Sequence, residues 1–133
     1  MLRKALLAFS VSGGIACSSP TDRVSIPPCD STTALEIHIQ LGGVSFEWSP
    51  SCGISALRVI SAADPTDVKW YVRTPDWQPT HPGPVLYGAP FRPLVEITPR
   101  VLLESEQEYR VELLVGTGTN ATTAVVTALF TIP

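Results

Sequence analysis

The stretch Leu35-Glu36-Ile37-His38-Ile39-Gln40-Leu41-Gly42-Gly43-Val44-Ser45-Phe46-Glu47-Trp48 carries an apolar side chain at every second position on either side of two glycines. Such alternation belongs to half-buried strands, and Gly-Gly supplies the positive φ angles of a tight hairpin turn. With Gly42 and Gly43 as the central pair, Leu41 faces Val44, Ile39 faces Phe46 and Ile37 faces Trp48. His38 then faces Glu47, and Leu35 faces Pro50. A slip of one residue would turn one strand's apolar set into water. The hairpin therefore has one apolar face, and that face needs a cover.

The cover comes from the rest of the chain. Ser55 to Ala62 alternates around Leu57 and Val59, and Asp64-Pro65-Thr66-Asp67 reads as a type I turn with Pro at its second position. Val68, Trp70 and Val72 follow on one face, with Lys69, Tyr71 and Arg73 on the other, so Trp70 is expected in the core. From Thr74 to Pro93 the chain holds six prolines and reads as an irregular excursion, because dense proline excludes central strands and helices alike. Within it Val85-Leu86-Tyr87 has the character of a short edge strand. Leu94 to Thr98 is the next strand. Glu108 to Val115 places Tyr109, Val111, Leu113 and Val115 inward, Gly116 to Asn120 is a turn, and Thr122 to Ile132 is the last strand.

These segments predict an all-β fold, a seven-stranded antiparallel β-sandwich with no helix. Composition agrees. The chain has 133 residues, 44% of them apolar, with 13 Pro and 9 Gly, which favours many turns over long helices. A domain of this size buries about two-thirds of its unfolded surface, enough for a core without metal.

Residues 1–16 have a basic start at Arg3 and Lys4, an apolar centre and small residues ahead of Cys17, the make-up of a secretory signal peptide. Gly14-Ile15-Ala16-Cys17 resembles the lipobox of bacterial lipoproteins, with Gly14 at the position usually held by Leu. The resemblance implies lipidation of Cys17, and Ser18 after it implies sorting to the outer membrane, on its periplasmic or cell-surface side. The alternative is ordinary cleavage nearby, with Cys17 a free thiol. Residues 17–32 read as a Ser/Thr/Pro-rich tether and residues 33–133 as the folded domain. Loss of residues 1–16 leaves seven basic and twelve acidic side chains, a net charge of −5. No basic run remains, which argues against nucleic acid as a partner.

Cys29 ends the tether and Cys52 lies just beyond the hairpin's second strand, at the same end of it. In an oxidising compartment a Cys29–Cys52 disulfide is the leading reading. The rival reading, a metal held by these thiols, needs further ligands. His38 and His81, the only histidines, stand at no ligand spacing, so no metal and no cofactor is expected.

Catalysis has little to stand on. Ser51-Cys52-Gly53-Ile54 lacks the flanking glycines of a nucleophile elbow. His38 alternates with Ile37 and Ile39 and points to solvent, and His81 lies among prolines with no partner in view. No enzyme activity is expected. Asn120-Ala121-Thr122 matches a glycosylation sequon, read as chance behind a bacterial-type leader.

Three features together resemble a fibronectin type III domain. Trp48 with Pro50 matches that family's Trp-x-Pro, Leu103 and Tyr109 match its Leu-x5-Tyr, and Phe130-Thr131-Ile132-Pro133 resembles its closing strand. Ser105-Glu106 departs from the family's usual Pro-Gly, and Leu57-Arg58-Val59 from its Tyr-x-Val. The resemblance covers about residues 33–133. It implies an indole filling the core centre, a tyrosine corner at Tyr109, and an adhesive or scaffolding habit.

Recognition is expected from the excursion, where Trp77, Tyr87 and Phe91 sit on a proline-stiffened loop. Pre-ordered aromatics could fill a pocket on an envelope protein or stack on a glycan. The competing reading has them folded back to plug the sandwich. The role expected is a lipid-anchored interaction module of the cell envelope, acting through a sheet edge or this loop. The alternative is a carbohydrate-binding module.

Overall fold

The computed structural model describes residues 25–89, 93–116 and 122–133, and these form an all-β sandwich of two antiparallel sheets. The strands are β1 (Ala34–Gln40), β2 (Gly43–Ser49), β3 (Ala56–Ser61), β4 (Val68–Arg73), β5 (Val85–Leu86), β6 (Val95–Thr98), β7 (Glu108–Gly116) and β8 (Thr122–Thr131). One sheet has the order β1-β2-β5 and the other β6-β4-β3-β7-β8. The expected count of seven is corrected to eight among the described residues. Val85 and Leu86, set between prolines, extend just far enough to pair with Phe46 and Ser45 along the edge of β2.

The first hairpin forms as the alternation demands, but in another register. Leu35 pairs with Trp48, Ile37 with Phe46 and Ile39 with Val44, around a turn of Leu41 and Gly42. The difference is two residues on a ladder whose faces repeat every two, so Leu35, Ile37, Val44, Phe46 and Trp48 keep the face expected of them. Alternation cannot separate the two registers; only the turn can. Gly43, at φ 139°, opens β2 opposite Gln40 in a conformation that L side chains rarely adopt. Leu41 loses its expected partner and stands fully exposed at the tip.

The core lies between the sheets. Val44, Phe46 and Trp48 from β2 and Val85 from β5 meet Leu57, Val59, Trp70, Val72, Val111 and Leu113 from the larger sheet, all buried. Phe46 and Phe130 join the layers edge to face, their centroids 5.7 Å apart. The second hairpin turns where expected, the Asp67 N–H donating to the Asp64 carbonyl at 3.0 Å, while the Asp64 carboxylate accepts from the Thr66 N–H and hydroxyl.

Cys29 and Cys52 are bonded, and both are buried. Around them the chain is knitted tightly. Cys29 N–H donates to the Gly53 carbonyl and Gly53 N–H to the Pro27 carbonyl, both at 2.9 Å. A Cβ on Gly53 would lie 2.0 Å from the Pro79 carbonyl oxygen, so only glycine lets the excursion pass here. The Trp48 indole N–H closes the same corner by donating to the Cys52 carbonyl at 3.0 Å.

Candidate interaction surface

The excursion divides into two halves. Its first half crosses the disulfide end, where His81 and Ile54 exchange backbone hydrogen bonds of 3.0 and 3.2 Å. Half-burial lowers the His81 pKa from its ordinary value, which favours the neutral ring. Trp77 sits in this half at φ 60°, a left-handed conformation uncommon for a non-glycine residue. Its ring meets Tyr71 edge to face at 6.4 Å, and the Arg73 guanidinium lies over it at 4.8 Å. Tyr71 and Arg73 belong to the outward face of β4. Trp77 is therefore half-buried on the outer side of the five-stranded sheet, with one ring face already taken by a cation.

Tyr87 lies in the second half and turns the other way. Its ring packs edge to face on buried Trp70 at 5.2 Å, and its hydroxyl donates to the Val101 carbonyl at 2.6 Å, with the Lys69 carbonyl at 3.2 Å. Burial pushes its pKa up to about 12. Trp70 and Tyr71 are consecutive on a strand and point to opposite faces, so Trp77 and Tyr87 lie on opposite sides of one sheet. They do not converge into a binding platform. Phe91 lies outside the described residues, as do Cys17, the leader and the sequon position Asn120.

What the molecule does present is a crevice at the hairpin tip. This open crevice has a volume of about 340 Å³ and is lined among others by Leu41, Gly42, Gly43, Tyr87, Arg100, Leu103 and Ile132, the lower end of the range typical for ligand pockets. The segment after β6 is pinned on both sides of Leu102. Val101 N–H donates to the Lys69 carbonyl at 2.9 Å, and Leu103 packs against the core. Leu102 between them is driven outward and is 85% exposed. Ile39, Leu86 and Val101 are exposed at the same end. Among the described residues Arg100 is the only charged one lining the crevice, in a chain whose net charge is −3. Among the described residues it has no carboxylate within ion-pair distance.

This end was not legible beforehand. Pairing Leu41 with Val44 hid it inside the ladder, and the available signal was Val101-Leu102-Leu103, three consecutive apolar residues where alternation allows one face only two.

Comparison with known proteins identifies no relative: no family model, no curated protein and no solved structure matches the chain.

Proposed function

We propose that this chain is a non-catalytic interaction module of the cell envelope. It is exported by residues 1–16, anchored through lipid on Cys17, and binds a segment of an envelope protein in the crevice at its hairpin tip. The observation that carries the reading is the pair of leucines, Leu41 and Leu102, both exposed and both lining a crevice of mixed polar and apolar character, with the Arg100 guanidinium in its wall. Exposed apolar groups gathered at one place and rimmed by polar ones mark association surfaces. The charge selects the partner: an apolar segment with a carboxylate placed to reach Arg100.

The sandwich is of the fibronectin type III or Ig-like kind. Supporting this is the Glu104 N–H donating to the Tyr109 hydroxyl at 2.7 Å, which has the form of a tyrosine corner. Buried Trp48 on β2 supports it too. The glycan reading draws less support, since Arg73 covers one face of Trp77 and Tyr87 is spent on the core.

In-cell photo-cross-linking from position 102, with the native leader retained, tests the proposal. One envelope protein should be captured, and Arg100→Glu should abolish the adduct while Trp77→Ala leaves it intact. Capture from position 77 but not from 102, or no loss with Arg100→Glu, overturns the site. A Cys17→Ala chain that still partitions with the membrane overturns the anchor.

A further inference from the structure

We propose that Glu36, His38 and Glu47 form a three-ligand site for a divalent transition metal, zinc being the ion of best fit, on the outer face of the β1–β2 hairpin.

The ladder creates the cluster. Glu36 and His38 are two apart on β1 and share its solvent face, and the register places Glu47 of β2 directly opposite Glu36. Two carboxylates opposed across a ladder repel, and such a pair is destabilising without a cation near it. His38 Nε2 lies 3.5 Å from Glu36 Oε2 and 3.4 Å from Glu47 Oε2. The three ligand atoms fall within 4.8 Å of one another. Zinc binds imidazole nitrogen and carboxylate oxygen at about 2.0–2.1 Å, and the edge of a tetrahedron with such bonds is about 3.4 Å. Both His–Glu separations match that edge. The set as a whole spans 4.8 Å, and since two such bonds reach at most about 4.2 Å, an entering ion draws the exposed carboxylates together by side-chain rotation. The cluster is on the exposed face of the hairpin, where water can complete the coordination.

The donor set selects the metal class. Calcium and magnesium prefer oxygen alone, whereas one imidazole with carboxylates suits zinc and its neighbours. The imidazole binds in its neutral form, so any proton on it is released as the metal enters. The backbone beneath is fixed over seven paired residues, which lowers the cost of ordering the ligands. The expected pairing of His38 with Glu47 is corrected to His38 with Ser45 and Glu36 with Glu47, and it is this register that gathers all three side chains.

The test is titration of the full-length chain, stripped with chelator, by Zn²⁺ and by Co²⁺. One equivalent of zinc should bind, and Co²⁺ should give the intense visible absorption of a tetrahedral ion. His38→Ala should weaken zinc binding by at least about tenfold, since even outer partners of metal ligands are worth 10–100-fold. Glu36→Gln and Glu47→Gln should each weaken it, while His81→Ala should not. His38 is 43% exposed and Glu36 and Glu47 more so, so circular dichroism should show these variants folded. Zinc binding unchanged in His38→Ala, or loss confined to His81→Ala, overturns the proposal. No stoichiometric uptake by the wild type also overturns it, and would leave the cluster as His38 held between two carboxylates.

Discussion

The hydroxyl of Tyr109 accepts a hydrogen bond from the backbone N–H of Glu104 at 2.7 Å, while its ring packs on Phe130 with centroids 5.7 Å apart. One side chain thus ties the loop entering β7 to the last strand. Tyr109→Phe keeps the ring and leaves the Glu104 N–H without its acceptor. Urea unfolding should show a loss of about 1–2 kcal/mol, read as a lower midpoint with an unchanged slope.

The disulfide closes a loop of sequence separation 23. A chain with both Cys29 and Cys52 replaced by Ala should lose about 3 kcal/mol on the chain-entropy account. Adding reductant to the wild type should lower its melting temperature by a similar equivalent, and should leave the double variant unmoved.

The two tryptophans near β4 should separate sharply in thermal unfolding. Trp70 is wholly buried, and Trp70→Ala should cost about 3–5 kcal/mol through the cavity it opens. Trp77 is half-buried on the outer face beneath Arg73, and Trp77→Ala should cost about 1 kcal/mol. Equal losses would contradict the placement of Trp77.

Tyr87 gives the fold a sensitivity at high pH. Burial raises its pKa from 10.0 to about 12, so the native state holds the phenolic proton more tightly than the unfolded chain does. Its contribution is complete below pH 10 and is lost as pH climbs through about 12. The unfolding free energy of the wild type should therefore fall across that window more steeply than that of Tyr87→Phe.

Leu41→Asp and Leu102→Asp should leave unfolding within about 0.5 kcal/mol of wild type, because neither side chain is buried. Leu41→Asp should remove the partner cross-linked from position 102, and Leu102→Asp a partner cross-linked from position 41. A large stability loss at either position would mean that the crevice is closed in solution.

The sequence's legibility varied with the kind of constraint. Strand positions were readable because alternation is a property of each strand alone: Val44, Phe46 and Trp48 face inward as expected, as do Trp70 and Val72. The hairpin register was not, because a two-residue shift preserves every face, and the choice lies in the backbone of Leu41 to Gly43. The disulfide was readable from compartment and from hairpin ends. Trp77 and Tyr87 shared a loop and a chemistry, yet the parity of Trp70 and Tyr71 sends their contacts to opposite sides of a sheet. The crevice depends on bringing Leu41, Arg100 and Ile132 together, and no local pattern encodes a meeting of three distant segments.

The Cys29–Cys52 bond also sets the path of mechanical load. Tension applied to the chain ahead of Cys29, as it would be on a module pulled away from an N-terminal anchorage, passes through sulfur into Cys52 and on into β3. For a load taken up by the C-terminal strands, the β1–β2 hairpin then lies outside the covalent force line. With the bond reduced, the same pull would enter at β1 and unzip that hairpin from its end, one rung at a time.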